Sequence, residues 1–146
     1  MATYSFLDVN ATLVGPTGVI NLGNGAAIAE EGITIEPVGD KNTMMIGADG
    51  EGMHSLAADK SATVTVRLLK TSPTNAKLQA MFNAQTLSSS LHGQNVITVT
   101  QTKSGDVTVA RECAFKRKPN LAYAKNGDIV EWVFDSIKVD TVLGEF

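Results

Sequence analysis

Few residues of this chain are of the types that perform chemistry, and their spacing does not bring them together. The two histidines, His54 and His92, lie in loop-like sequence, and no local motif ties a serine or an acidic residue to either of them. Cys113 is the only cysteine, so neither an internal disulfide nor a cysteine-based zinc site can form. We interpret it as a small apolar residue in a strand, with a reactive thiol as the alternative. The sequence therefore predicts a protein without catalytic residues and without a metal site.

Two glycine-rich stretches match binding motifs only in part. The stretch Asp49-Gly50-Glu51-Gly52 lacks the third early acid and the final acid of a calcium-binding loop. The stretch Gly23-Asn24-Gly25 follows a short strand, but the third glycine and the long helix of a dinucleotide site are missing. Aromatic residues make up 5% of the chain, and none alternates with basic residues, which argues against stacking on nucleic-acid bases. We therefore expect no cofactor.

The composition predicts a single domain that assembles with other protein subunits. The chain has 146 residues, of which 43% are hydrophobic and 18% are charged, whereas about a quarter is usual for charged residues. The shortage of charge indicates surface that is covered in an assembly. The net charge of -3 and the lack of a basic stripe argue against tight binding to phosphate groups. Because the N-terminus has no signal-peptide pattern and no apolar run approaches ~20 residues, we expect no membrane insertion.

Alternating and β-branched stretches predict about seven or eight strands. Turn signals at 15–18, 103–106 and 125–128 separate several of these strands and predict hairpins. The predicted strands cover residues 4–14, 19–22, 28–38, 61–70, 96–102, 107–115 and 129–143, and a short strand could form at 44–46.

The strand patterns also predict which side chains share a face. Three strands pair an apolar face with a polar one, as expected for a sheet that is buried on one side only. The apolar faces carry Ile33, Ile35, Val64, Val66, Leu68, Trp132 and Phe134. The polar faces carry Thr34, Glu36, Thr63, Thr65, Arg67, Glu131 and Asp135.

One helix is predicted between residues 73 and 85. Ser72 is a suitable N-cap, because its hydroxyl can accept from an early backbone N–H, and Pro73 can occupy the first helical position. Leu78, Met81 and Phe82 form one apolar stripe, which we expect to pack as core against the sheet. Together these elements predict a mainly β fold, either a β-sandwich or a partly rolled barrel, with one flanking α-helix.

The stretch at about 39–60 is long and glycine-rich, yet it carries apolar side chains. A loop of this length in a compact domain is usually functional or disordered, and flexible methionines suit an adaptable contact surface. We expect it to be an interaction loop that contacts other subunits. The alternative is that its apolar residues fold back onto their own domain. The predicted interface residues are Asp40, Met44, Met45, Ile46, Asp49, Glu51 and Met53.

A second local feature is the basic cluster Lys116-Arg117-Lys118-Pro119. The simpler interpretation is a solvated turn. The alternative is contact with an acidic neighbour.

With these residues in view, the chain resembles a family of tail tube proteins from bacteriophages with contractile tails. The resemblance covers almost the whole chain and rests on the order and spacing of several segments rather than on one chemical motif. The segments are YSFLDVNATLVGP at 4–16, EEGITIE at 30–36, DKNTMMIGADGEGMHS at 40–55, TVTVRLLKTSPTNAKL at 63–78 and YAKNGDIVEWVF at 123–134.

The resemblance implies a structural virion protein whose hexameric rings stack into a hollow tail tube. It implies a contractile sheath protein around the tube, baseplate and tail terminator proteins at its ends, and a tape measure protein inside it. DNA would pass through the tube without specific binding. The protein would be assembled in the host bacterial cytoplasm and reside in the virion tail. Two alternatives stay open, which are a tube protein like that of type VI secretion and a small ligand-binding β-domain.

A conduit for DNA requires several copies of such a domain. A barrel of about eight strands is filled by its own side chains, so one copy could not enclose a duplex. A neutral-to-acidic lumen would let DNA slide, whereas a basic lumen would bind it. The lumen candidates are Thr34 and Glu36, and less strongly Glu131 and Asp135, with plain solvent exposure as the alternative.

Overall fold

The computed structural model describes residues 2–146. Over this range the chain forms nine strands, one α-helix and a short 3-10 turn at Phe6–Asp8. The strands before the helix are β1 (Val9–Gly15), β2 (Gly18–Asn21), β3 (Ile28–Pro37), β4 (Asn42–Ile46), β5 (Gly52–Leu56) and β6 (Ala62–Leu69). The helix and the later strands are α1 (Thr74–Gln85), β7 (Asn95–Gln101), β8 (Asp106–Arg117) and β9 (Ile129–Val142).

Seven of the strands form one sheet, in the order β2-β1-β7-β8-β9-β6-β3, and all neighbouring pairs are antiparallel. Although β2 and β3 lie at opposite edges, only residues 22–27 connect them along the chain. A connection of this length spans at most about 20 Å, so the sheet must curl until its edges approach each other. The result is a mainly β fold with a curled half-barrel sheet, which agrees with the partly rolled barrel predicted from the sequence.

The connection between the two edges depends on Gly23. The Leu22 N–H donates to the Ala11 carbonyl at 2.8 Å, and the Asn24 N–H donates to the Val9 carbonyl at 3.1 Å. A Cβ at Gly23 would lie 2.6 Å from the Ala11 nitrogen. Only glycine allows two backbones to approach this closely, and this requirement explains the first glycine of the stretch Gly23-Asn24-Gly25.

The core fills the concave side of the sheet. The predicted alternation in β6 is confirmed, because Val64, Val66 and Leu68 are fully buried. Trp132 and Phe134 are buried on the same side in β9, and the partly buried Ile33 and Ile35 of β3 pack against them. Other members of the core come from β1, β7 and β8, namely Ala11, Leu13, Ile97, Ala110, Cys113 and Phe115.

Helix α1 closes this core. Leu78 and Met81 are buried, whereas Phe82 is only half-buried, and its ring forms a T-shaped contact with that of Phe115 at a centroid distance of 5.6 Å. The helix begins at Thr74, one residue later than predicted, and Pro73 rather than Ser72 holds the N-cap position. The Ser72 hydroxyl accepts from the Thr74 N–H at 3.2 Å and donates to the Ala26 carbonyl at 2.6 Å, which ties the start of the helix to the segment before β3.

Buried polar side chains fix the helix to the sheet. Gln85 and Asn95 are almost fully buried, and their amides exchange two hydrogen bonds of 2.7 Å. The Trp132 indole N–H donates to the Asn75 side-chain oxygen at 3.1 Å. Because a buried polar group without a hydrogen-bond partner destabilises the fold, these pairs favour one position of the helix on the sheet. Neither pair follows from sequence periodicity.

The structure also decides where the first strand begins and which of the two predicted β architectures forms. The first strand begins at Val9 rather than at residue 4, because the Ser5 hydroxyl accepts from the Leu7 N–H at 3.1 Å and stabilises the 3-10 turn instead. Of the two predicted forms, the structure has the partly rolled barrel, since in residues 2–146 the second sheet is only the two-stranded β4-β5 ribbon. Within the same residues, no helix is both long and apolar enough to cross a membrane.

Candidate assembly surfaces

The stretch at 39–60 forms a β-hairpin that stands apart from the curled sheet. We call β4, β5 and the turn between them the hairpin. The short strand expected at 44–46 is confirmed as part of β4, and it pairs in register with β5. The base is held by the Ala57 N–H, which donates to the Lys41 carbonyl at 2.8 Å, and by Lys41 Nζ, which donates to the Ala57 carbonyl at 2.9 Å. Asp40 lies at the same base and is exposed.

The tip of the hairpin is an ordered acidic turn. The Gly47 N–H donates to the Glu51 carbonyl at 2.6 Å, and the Asp49 carboxylate accepts from the Glu51 N–H at 3.1 Å. Gly50 has φ of +88°, a conformation that glycine adopts without strain. The turn therefore holds the carboxylates of Asp49 and Glu51 at the outer end of the hairpin.

Every residue of β4 and β5 is exposed, so both faces of the hairpin are open to solvent. Met44, Met45, Ile46 and Met53 each keep more than half of their side-chain surface open. The alternative in which these residues fold back onto their own domain is therefore not what the structure has. A two-stranded hairpin is at best marginally stable in water, and clustered exposed apolar residues mark interaction sites. These observations favour an external partner for the hairpin.

The second surface is the polar side of strands β3, β6 and β9, which we call the polar sheet face. The register places the four lumen candidates on this one face, on the side opposite the core. Its members are Thr34, Glu36, Thr63, Thr65, Arg67, Glu131 and Asp135.

One arginine links the three strands of the polar sheet face. Arg67 Nε lies 3.3 Å from a Glu131 carboxylate oxygen, and Arg67 Nη1 donates to the Thr34 hydroxyl at 2.8 Å. Glu36 and Asp135 flank Thr63 in the register and have no such basic partner on the face. Arg117, opposite Val133, adds one positive charge at the border with β8. Further along the same side, Lys138 of β9 lies opposite Arg111 of β8, and Asp140 forms ion pairs with Arg111 and Lys60. Acidic and basic side chains are therefore close to balanced on the face.

The residues that could perform chemistry remain dispersed. His54 Nδ1 lies 3.1 Å from the Asn42 amide in the hairpin, and His92 is exposed far along the chain. Cys113 is fully buried in β8, and this burial raises the pKa of its thiol, which favours the apolar role over the reactive one. No cluster of three or more metal-ligating side chains occurs in residues 2–146.

Sequence comparison identifies the family. A family model described as bacteriophage PhiTE tail tube protein matches residues 1–144. The chain belongs to this tail tube family. The resemblance seen in the sequence is confirmed, and with it a structural role in a phage tail tube. No curated protein matches the chain.

Solved structures share the fold at low sequence identity. One is the sheath/tube terminator of an extracellular contractile injection system, PVC, in the extended state, with a TM-score of 0.65 and 12% identity over 97% of this chain and 98% of that chain. Another is the tail of an empty GTA particle refined with C6 symmetry, with a TM-score of 0.61 and 13% identity over 99% of both chains. A third, from the PVC sheath-tube complex, has a TM-score of 0.56 and 12% identity over 91% of this chain and 88% of that chain. These likenesses establish the tail tube fold.

Proposed function

We propose that residues 1–146 form a single tail tube domain that assembles into hexameric rings, and that the rings stack into a hollow tube for DNA. The observation that carries this proposal is the hairpin, which exposes apolar side chains on both faces and, in residues 2–146, pairs with no strand of the seven-stranded sheet. A monomer gains nothing from this exposure, whereas an assembly would bury it. The tail of the GTA particle, which shares the fold, was refined with C6 symmetry, and this symmetry agrees with six subunits per ring.

The polar sheet face is proposed to line the lumen. The core side of the sheet is filled with side chains, so it cannot also face a channel. The opposite side carries threonines, and its basic residues Arg67 and Arg111 are paired with carboxylates. Such a wall offers DNA few cations for counterion release, so phosphates would pass without being held.

The hairpin is proposed to make contacts between subunits, both around a ring and between stacked rings. It leaves the sheet at one end of β3 and β6, so it projects in the direction in which a second ring would lie. The residues assigned to this contact are Asp40, Met44, Met45, Ile46, Asp49, Glu51 and Met53.

The proposal extends to the rest of the tail. Structures that share the fold come from a sheath-tube complex and from tube terminators, so we propose a sheath protein outside this tube and terminator and baseplate proteins at its ends. A tape measure protein would occupy the lumen before DNA does. Assembly would take place in the host cytoplasm, with the finished tube in the virion.

The protein is also proposed to have no enzymatic activity, because its histidines lie apart and its thiol is buried. Assays of the purified chain for hydrolase and transferase turnover should give only background. A reproducible turnover that is abolished by His54→Ala or His92→Ala would contradict this part of the proposal.

The assembly proposal is tested by electron microscopy and sedimentation of the purified chain across a range of protein concentrations. Rings or hollow tubes of uniform diameter are expected as the concentration rises. A chain that stays monomeric at every concentration, alone and with the terminator or baseplate components of its own phage, would overturn the proposal.

A further inference from the structure

The hairpin and a second stretch of the chain carry opposite charges. Between Thr43 and Leu56 the chain has two acidic residues, Asp49 and Glu51, and no lysine or arginine. Between Lys116 and Lys125 it has four basic residues and no acidic one. We call the stretch from Lys116 to Lys125 the distal segment. The four basic side chains are Lys116, Arg117, Lys118 and Lys125.

These two charged features lie toward opposite ends of the molecule. The hairpin leaves the sheet where Pro37 pairs with Ala62, at the start of β6. The distal segment leads into Ile129, which pairs with Leu69 at the other end of β6. A strand of 8 residues is about 25 Å long. The hairpin and the Lys125 end of the distal segment therefore attach at opposite ends of this strand.

The distal segment also offers apolar surface. From Lys118 to Asp128 the chain forms neither helix nor strand, and Leu121 and Tyr123 are largely exposed. Lys70 Nζ lies 4.4 Å from the centre of the Tyr123 ring, so a further positive charge lies beside the distal segment. A shallow cavity beside it is lined by Leu121, Val130 and Trp132. This surface combines apolar side chains with positive charge, as the hairpin combines methionines with negative charge.

We propose that the distal segment is the docking surface for the hairpin of a second copy of this chain. The proposal rests on the tube function proposed above and identifies where the hairpin binds. The carboxylates of Asp49 and Glu51 would lie against Lys118 and Lys125, because opposite charges at an interface fix its register. The hairpin methionines would pack on Leu121 and Tyr123, since thioethers contact aromatic rings favourably.

Such a contact is head-to-tail. The donor surface and the acceptor surface differ and lie at opposite ends, so every docked subunit leaves one of each free for the next copy. Heterologous contacts of this kind extend without limit unless a rotation closes them into a ring. Docking at the distal segment therefore joins subunits in an open series rather than a closed dimer, as a contact between successive rings requires.

Charge reversal tests the contact. Asp49→Lys with Glu51→Lys, or Lys118→Glu with Lys125→Glu, should each raise the protein concentration needed for tube formation about tenfold or more, because like charges then face each other. A variant that carries all four substitutions should assemble as the wild type does. A matched control combines Asp49→Lys and Glu51→Lys with Lys77→Glu and Lys103→Glu, at exposed lysines elsewhere. It has the same net charge and should stay defective.

Restoration by the control as well as by the four-substitution variant, or by neither, would overturn the proposed contact. Unchanged melting temperatures establish that each variant folds. Zero-length carbodiimide crosslinking of the wild-type chain gives a second measurement that needs no variant. Crosslinks between subunits from Asp49 or Glu51 to Lys118 or Lys125 are expected, and their absence in assembled protein would also overturn the contact. A wild-type chain that never assembles would instead contradict the tube function.

Discussion

At the scale of single residues, the structure distinguishes apolar side chains that are buried in the core from apolar side chains that are exposed on the surface. Leu78 is fully buried beneath the helix, whereas Phe82 keeps part of its ring open although both belong to the same predicted stripe. Met44 and Met45 are as apolar as these core residues and yet are exposed. Apolar character therefore does not by itself assign a side chain to the core of one subunit.

This difference leads to a prediction about helix α1. Leu78→Ala should lower the free energy of unfolding by about 2–5 kcal/mol, because a fully buried leucine leaves a cavity. Phe82→Ala should cost less than the ~3–5 kcal/mol of a fully buried phenylalanine. Chemical denaturation of the unassembled chain measures both. Leu87→Ala is the control, since Leu87 is exposed just after the helix and should change stability by less than ~0.5 kcal/mol. Equal losses for Leu78→Ala and Leu87→Ala would contradict the assignment of the helix to the core.

The buried amide pair supports a second prediction. Gln85→Leu should destabilise the chain by about 1–3 kcal/mol, because it leaves the buried Asn95 amide without its partner. The double change Gln85→Leu with Asn95→Leu should cost clearly less than the sum of the two single changes. Denaturation of the three variants gives the coupling. Strict additivity would show that the two amides do not depend on each other.

The buried thiol of Cys113 supports a third prediction, which concerns its reactivity. Because burial raises the pKa of Cys113, the folded chain should react with iodoacetamide at neutral pH much more slowly than the unfolded chain. Mass spectrometry after timed alkylation, with and without denaturant, measures the ratio. Equal rates in the two states would indicate that the thiol is accessible in the folded protein.

At the scale of elements, the hairpin is the part most easily separated from the fold. It shares no strand pairing with the seven-stranded sheet, so its side chains can be changed with little effect on the core. Replacing Met44, Met45 and Ile46 with serine should leave the melting temperature of the monomer almost unchanged and prevent tube formation. Calorimetry and electron microscopy measure the two effects.

A control for this change is Leu87→Ser, which removes an even more exposed apolar side chain outside the hairpin and should leave assembly intact. Normal tubes from the triple variant would show that the hairpin is not an interface. Unfolding of the triple variant would show that these residues stabilise their own domain.

The elements also show how far the sequence could predict this structure. Alternation in β6 and β9 predicted the buried faces correctly, because a sheet with one apolar side imposes a period of two. Strand β5 was missed, since Gly52 and His54 weaken the pattern and its pairing with β4 has no core to impose an alternation. The pairing of Gln85 with Asn95 and of Arg67 with Thr34 arises only when distant segments meet. No local pattern contains such information.

At the scale of the whole molecule, charge is distributed in a way that suits passage rather than binding. The chain carries a net charge of -3, and its basic residues at 116–125 lie away from most of the polar sheet face. The assembled protein should therefore bind duplex DNA poorly at physiological salt. A filter-binding or fluorescence titration at several salt concentrations measures this. Sub-micromolar affinity with a steep salt dependence would contradict a lumen that lets DNA slide.

The central claim is that the polar sheet face lines the lumen of a tube made of stacked hexameric rings. A cryo-electron microscopy reconstruction of the assembled protein tests it most directly. The account predicts sixfold rings in which Thr34, Glu36, Glu131 and Asp135 face the channel, with the hairpin buried against neighbouring subunits. A tube in which these four residues face outward, or in which the hairpin stays exposed to solvent, would contradict it.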